Sequence, residues 1–133
     1  MTSAPHQILV VEDEEMIRDS IVEFLEDNGY QGVGAADGQE ALNKLAAADR
    51  LPCLILLDLM MPVMDGRSFR EHQLQTPLLA DIPVVVFSAY RNVAQTASDL
   101  NAAGHLSKPL KLPDLLRTVQ RHCTNGGLPT SPP

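Results

Sequence analysis

Short runs of apolar residues alternate along this chain with segments of helical periodicity. Three runs are apolar throughout, at residues 8–11, 53–57 and 84–87. Uninterrupted runs of this length are typical of strands that are covered on both faces. Two weaker strands are predicted at 31–35 and 105–107. Strands that alternate with helices predict an α/β fold, in which helices cover both faces of a doubly wound, five-stranded parallel sheet.

Five helices are predicted from apolar positions that recur every three or four residues. Asp37 and Glu40 form a capping box at the start of the second helix. The third helix is expected to bury Phe69 and Leu74, and the fourth is expected to end at Gly104. The inner face of the fifth helix is predicted to carry Leu112, Leu115, Leu116 and Val119.

Composition narrows the class of protein. A chain of 133 residues is expected to form one domain. Its formal net charge of −7 argues against direct nucleic-acid binding and against binding to anionic membranes. The apolar runs are far shorter than the roughly 20 residues of a membrane-spanning helix, and no signal peptide is visible.

The cysteines and histidines show no metal-binding spacing. Cys53 and Cys123 are far apart in the sequence and are expected to be free thiols. Free thiols without a signal peptide predict a cytoplasmic location. The four histidines are scattered, so a zinc site is not expected.

Polar residues follow the predicted strands where the strands end. Glu12 and Asp13 follow the first strand, Asp58 the third, Ser88 the fourth and Lys108 the fifth. In open parallel sheets, ligands bind beyond the carboxyl ends of the strands. Three carboxylates placed together repel one another unless a cation joins them, and oxygen ligands without His or Cys favour Mg²⁺. A carboxylate, a divalent ion, a hydroxyl and a lysine suit phosphoryl transfer.

Four motifs carry a family resemblance. They are ILVVEDE at 8–14, LILLDLMMPVMDG at 54–66, VVVFSA at 84–89 and SKP at 107–109. In this order and spacing the chain resembles a response-regulator receiver domain of two-component phosphorelays, over about residues 7–123. The resemblance implies a (βα)₅ flavodoxin-like fold with strand order 2-1-3-4-5.

The resemblance also implies roles for the residues at the strand ends. Asp58 would be the phosphoacceptor and would form an acyl phosphate. Glu12, Asp13 and Asp58 would hold Mg²⁺ together with the backbone carbonyl of Met60. Ser88 and Lys108 would bind phosphoryl oxygens, and His105 stands where the family usually has a switching Tyr or Phe. Pro62, Asp65, Gly66 and Pro109 would shape the loops, the last through a cis bond after Lys108, and Met60 and Tyr90 would border the route of the hydrolytic water.

The function implied is a phosphorylation-activated signalling switch rather than a metabolic enzyme. A histidine kinase or phosphotransfer protein would donate the phosphoryl group. The face formed by the fourth helix, the fifth strand and the fifth helix would then regulate a downstream protein. A Mg²⁺-dependent phosphatase with an aspartyl nucleophile is an alternative, although Met60 occupies the position of its second acid–base Asp. A constitutive interaction module is the other alternative.

The expected organisation is an N-terminal extension at 1–6, a receiver domain at 7–123 and a flexible tail or linker stub at 124–133. Whether the domain stands alone or belongs to a longer chain, and whether it forms a homodimer, is left open by the sequence. His105 is expected either to switch inward or to remain a half-buried polar residue.

Overall fold

A computed structural model describes residues 6–59, 65–89 and 92–123. The predicted strands are present, and the helices of the described residues number six, because a short helix interrupts the connection after the third. The elements are β1 (Gln7–Val11), α1 (Glu15–Asp27), β2 (Gln31–Ala35), α2 (Gly38–Ala47), β3 (Leu54–Asp58), α3 (Gly66–Gln75), α4 (Pro77–Ala80), β4 (Val84–Ser88), α5 (Val93–Asp99), β5 (Gly104–Ser107) and α6 (Leu112–His122).

The five strands form one parallel sheet in the order β2-β1-β3-β4-β5. This confirms the predicted fold class and strand order. Alternate residues of the central strands enter two separate cores, because successive side chains of a strand point to opposite faces. On one face the sheet packs against α2, α3, α4 and α5. On the other face it packs against α1 and α6. All five residues of β3 and of β4 are buried, as the apolar runs predict.

The capping box at the second helix is confirmed in its main bond. The Asp37 carboxylate accepts a hydrogen bond from the Glu40 amide at 2.8 Å. The Glu40 side chain accepts from the amide of Ala36 at 2.5 Å, one residue before the N-cap. The box therefore fixes the chain where it leaves β2.

The predicted inner face of the third helix is wrong at one position. Phe69 is fully buried, but Leu74 is 47% exposed and the neighbouring Gln73 is buried instead. The Gln73 amide group donates to the carbonyls of Leu79 at 2.8 Å and Ile82 at 3.0 Å. Burial of this polar side chain is tolerated because its hydrogen bonds are made inside the protein.

The predicted end of the fourth helix is also wrong. The corresponding helix is α5, which ends at Asp99, and Gly104 begins β5. In the turn between α5 and β5, Asn101 has left-handed backbone geometry, with φ of 57°, and Asn tolerates this conformation better than most residues. In α6, Leu115 and Val119 are buried as predicted, but Leu112 is 47% exposed.

The expectation of free thiols is wrong. Cys53 and Cys123 form a disulfide, with their Cα atoms 5.7 Å apart. Cys53 directly precedes β3, and Cys123 follows the last residue of α6. Free thiols therefore no longer support a reducing compartment for this protein.

Among the described residues, no helix combines the length and the apolar character that a membrane span requires.

Candidate functional site

The carboxyl ends of β1 and β3 bring three carboxylates together. The two strands are neighbours in register, so that Val11 lies opposite Leu57. Glu12 and Asp13 follow β1, and Asp58 is the last residue of β3. One carboxylate oxygen from each of these three residues lies within 4.8 Å of the others. The predicted acidic cluster is therefore present at this edge of the sheet.

The three carboxylates differ in exposure. Glu12 is 0% exposed and Asp58 is 1% exposed, whereas Asp13 is an exposed residue. Burial of charged groups is costly unless they are paired or hydrogen-bonded. The Glu12 Oε2 atom accepts from the Glu14 amide at 3.0 Å. Asp13 leaves the cluster open to solvent on one side, so an ion can reach it.

Lys108 supplies the positive charge beside the cluster. Its Nζ atom lies 3.2 Å from Glu12 Oε1 and donates a hydrogen bond to Asp58 Oδ2 at 3.3 Å. It also stands 5.3 Å from the centroid of the Phe87 ring, within range of a cation–π contact. The Lys108 amide donates to the carbonyl of Ser88 at 2.9 Å, which fixes the lysine backbone to the end of β4.

Burial and neighbouring charges shift the pKa values of Glu12 and Lys108. Burial raises the pKa of Glu12 to about 7, and the neighbouring charge of Asp58 adds to the increase. Burial acts to lower the pKa of Lys108, but the charges of Asp58 and Glu12 outweigh it and raise that pKa above its ordinary value. A single ammonium therefore faces more negative charge than it neutralises.

The cluster has the ligands that Mg²⁺ prefers. Glu12 Oε1 is buried and, despite its nearness to Lys108, has no hydrogen-bond donor in suitable geometry among the described residues. The three carboxylates of the cluster present oxygen ligands only, without His or Cys. A hard divalent cation suits such a donor set and would satisfy the buried oxygen. The residues present thus fit the predicted cofactor.

Ser88, Asp65 and Gly66 lie around the cluster. Ser88 ends β4, is 2% exposed, and stands opposite Ser107 in the register of β4 and β5. Asp65 caps α3 by accepting from the amide of Ser68 at 2.9 Å. A Cβ atom on Gly66 would stand 2.9 Å from the carbonyl oxygen of Asp58. Only glycine allows α3 to begin this close to the backbone of β3.

Arg18 is a supporting residue that the sequence reading missed. Its guanidinium Nη1 donates to the Glu12 carbonyl at 2.9 Å. Its aliphatic stem crosses Gly34 in β2, where a Cβ atom would stand 2.9 Å from Arg18 Cδ. The amide of Glu12 in turn donates to the carbonyl of Ala35 at 3.0 Å. The backbone of Glu12 is therefore held on both sides: β2 accepts from its amide, and Arg18 of α1 donates to its carbonyl.

The remaining predicted positions lie in β5, directly after β5, or outside the described residues. His105 lies in β5 and is exposed, so it is not half-buried. The Lys108–Pro109 bond is cis, as expected. Met60, Pro62 and Tyr90 lie outside the described residues.

Known proteins match this chain over most of its length. The family described as the response regulator receiver domain matches residues 8–120. The transcriptional regulatory protein PdtaR of Mycobacterium tuberculosis is 34% identical over 119 residues, which cover 89% of this chain and 57% of PdtaR. The phosphate regulon regulatory protein PhoB of Escherichia coli is 36% identical over 116 residues, which cover 86% and 50% of the two chains. The chain thus spans about half the length of these relatives.

Solved structures agree with this match. The chemotaxis protein CheY4 of Vibrio cholerae superposes with a TM-score of 0.81 at 32% identity, over 90% of this chain and 100% of that one. The response regulator TrrA of Thermotoga maritima, solved with Mg²⁺ and BeF, gives a TM-score of 0.77 at 27% identity, over 89% and 99%.

The fold and the acidic edge define a flavodoxin-like α/β domain of two-component signalling. This chain belongs to the response regulator receiver domain family. Receiver domains are signalling switches rather than classical enzymes, and phosphorylation and an acidic Mg²⁺ pocket are typical of them.

Proposed function

We propose that this domain is a phosphorylation switch that accepts a phosphoryl group on Asp58. The observation that supports this most strongly is the hydrogen bond from Lys108 to a buried Asp58 that belongs to a three-carboxylate cluster. A carboxylate nucleophile requires a cation to offset the charge of the incoming phosphoryl group. The ammonium of Lys108, 3.3 Å from Asp58 Oδ2, would supply such a cation.

The surrounding residues have complementary roles in this proposal. Glu12, Asp13 and Asp58 would hold Mg²⁺, with the Met60 carbonyl as a further ligand; when bound, the ion would offset negative charge on the phosphoryl oxygens. The Ser88 hydroxyl binds one phosphoryl oxygen, and Lys108 binds another. The carboxylate of Asp58 attacks phosphorus, the bond from phosphorus to the donor breaks, and its electron pair leaves with the donor.

The output face is proposed to be α5, β5 and α6. Ser88 ends β4, and the amide of Lys108 donates to the Ser88 carbonyl, so both phosphoryl-binding residues join directly to this face. A shift at either residue therefore reaches α5 or the segment before α6. His105, exposed in β5, lies on the same face, and its inward switching stays a prediction.

The phosphatase alternative is less well supported. Its second acid–base Asp would stand at position 60, where this sequence has Met. The constitutive interaction module has no specific observation in its favour, since Asp58 and Lys108 are both in place and hydrogen-bonded.

The decisive experiment is incubation with Mg²⁺ and acetyl phosphate, followed by intact mass measurement. The wild-type protein is expected to gain one phosphoryl group, and Asp58→Asn none, because the amide is not a nucleophile. Asp13→Ala is expected to slow phosphorylation and weaken Mg²⁺ binding together. Continuous release of phosphate would favour the phosphatase. A full-rate adduct on the Asp58→Asn variant would contradict the assignment.

The partners follow from the family. A histidine kinase or phosphotransfer protein would donate the phosphoryl group, and an unidentified protein would read the output face. The receiver bounds 7–123 and the cytoplasmic location stay predictions, and homodimer formation stays open. The absence of nucleic-acid binding also stays a prediction for these residues alone, since the longer relatives PdtaR and PhoB are named as transcriptional regulators.

A further inference from the structure

The segment that carries α6 is fastened to β3 at both of its ends. At one end, Lys108 bonds to Asp58, the last residue of β3. At the other end, Cys123 is joined by the disulfide to Cys53, directly before the first residue of β3. One strand therefore holds the start and the finish of residues 108–123.

The disulfide reinforces the weaker end of α6. Leu115 and Val119 bury the middle of the helix against the sheet, and Cys123 is 1% exposed. Between Val119 and Cys123, residues 120–122 of the last turn are half-buried or exposed. Terminal helical turns open more readily than the middle of a helix. Among residues 120–123 only Cys123 is buried, so without the covalent bond these four residues would be attached to the sheet mainly by the Cys123 side chain.

The two cysteines are unequally exposed. Cys53 is half-buried, whereas Cys123 is almost completely buried. A thiolate from solvent therefore reaches Cys53 Sγ first. A bond forms between the incoming sulfur and Cys53, the Cys53–Cys123 bond breaks, and the electron pair leaves on Cys123, which takes a proton. The second thiol of a dithiol then displaces Cys53 as a thiol and becomes a disulfide itself.

We propose that Cys53–Cys123 is a redox modification site, opened by dithiols, that controls the attachment of the last turn of α6 to β3. The middle of the helix stays packed through Leu115 and Val119 when the bond opens. Since α6 belongs to the proposed output face, the consequence for signalling rests on the function proposed above. The redox reaction itself does not depend on that function.

The test uses the full chain in its oxidised form and dithiothreitol as the dithiol. Thiol alkylation without denaturant is expected to label both cysteines after treatment. Amide hydrogen exchange is expected to become at least ~10-fold faster in residues 120–123, and to stay unchanged in β1 and β3. Cys53→Ser, which alters only the half-buried partner, should match the reduced protein and should not respond to dithiothreitol.

Three results would overturn the proposal. The cysteines could remain unlabelled until the protein is denatured, or exchange at 120–123 could be the same in both redox states. Faster exchange throughout the sheet would identify a structural cross-link needed by the whole fold. None of these readouts uses phosphorylation, so a failure here is distinct from a failure of the proposed switch.

Discussion

Lys108 Nζ lies 3.2 Å from the buried Oε1 atom of Glu12 without donating a well-formed hydrogen bond to it. The same ammonium donates to Asp58. One cation thus serves two buried carboxylates, and its geometry favours one of them. Burial is the main cause of the raised pKa of Glu12, and the nearby charge of Lys108 lowers that pKa only in part.

We expect the metal-free protein to lose stability as pH rises through the titration of Glu12. Burial raises the pKa of Glu12 from 4.5 to about 7. Between these values the folded protein retains a proton that the unfolded chain has lost, so the free energy of unfolding falls as pH rises. The shift corresponds to at most about 3 kcal/mol. The loss is complete above the folded pKa.

Thermal unfolding in EDTA at pH 5 to 8, for wild type and Glu12→Gln, would measure this effect. Other acidic groups impose their own pH dependence on both proteins, so the difference between the two curves is the relevant quantity. It should change steadily across the window, because Gln does not titrate. Parallel curves would show that Glu12 keeps an ordinary pKa.

We expect Gly34→Ala to weaken Mg²⁺ binding through Arg18. The added Cβ would stand 2.9 Å from Arg18 Cδ, so the flexible stem must move and its bond to the Glu12 carbonyl is lost. The cost in stability should be small, about 1 kcal/mol. Mg²⁺ affinity should fall roughly tenfold, as is common when a group supporting a ligand is removed. Titration calorimetry would measure it.

The chain offers a matched control for this variant. Gly104 also lies in a strand, but a Cβ atom there would meet only Val85 Cγ2, at 3.8 Å. Gly104→Ala should therefore leave Mg²⁺ affinity unchanged. Arg18→Ala should resemble Gly34→Ala, and the double variant should be no worse than either, because both remove one bond. Additive losses would show that Gly34 and Arg18 act separately.

Much of the site was predictable because parallel strands end at one edge of a sheet. Asp58 and Lys108 lie far apart in the sequence. Asp58 directly follows an apolar run, however, and Lys108 directly precedes a recognisable proline. Arg18 was not predictable in the same way. Its importance depends on Gly34 in another element, and periodicity describes single elements only.

The same limit explains the errors in the fold. Cys53 and Cys123 are 70 residues apart, and only the packing of α6 beside β3 brings them together. Gln73 is buried rather than Leu74 because two carbonyls around α4 accept its hydrogen bonds. A polar residue with partners elsewhere in the chain can replace an apolar one in a core, and local sequence does not reveal those partners.

We expect a long-lived phosphoryl group. Hydrolysis requires a water molecule in line with the aspartyl–phosphorus bond. Met60 and Tyr90, which lie outside the described residues, are large and lack an acid or amide group to orient that water. Met60→Asn combined with Tyr90→Glu should accelerate loss of the phosphoryl group, followed by intact mass after removal of the donor. Equal or slower decay in the double variant would refute this role.

We expect the redox state of the cysteines and the phosphorylation of Asp58 to be coupled. We expect the start of segment 108–123 to shift when Lys108 exchanges its bond to Asp58 for a bond to a phosphoryl oxygen, while the disulfide holds the end of the segment to β3. The closed disulfide should therefore oppose the phosphorylated conformation. By thermodynamic linkage, a phosphoryl analogue should then favour reduction by the same factor as reduction favours the analogue, about fivefold or more.

The measurement is the equilibrium ratio of reduced to oxidised protein in dithiothreitol buffers, with and without Mg²⁺ and beryllium fluoride. The wild-type ratio should increase when the analogue is present. Asp58→Asn should show no increase, because the analogue has no carboxylate to join. Since Asp58→Asn retains both cysteines, it also controls for direct effects of the reagents on the disulfide. The wild-type protein must first be shown to bind the analogue. If its ratio is then unchanged, the phosphorylation site and the disulfide, at opposite ends of β3, are not coupled.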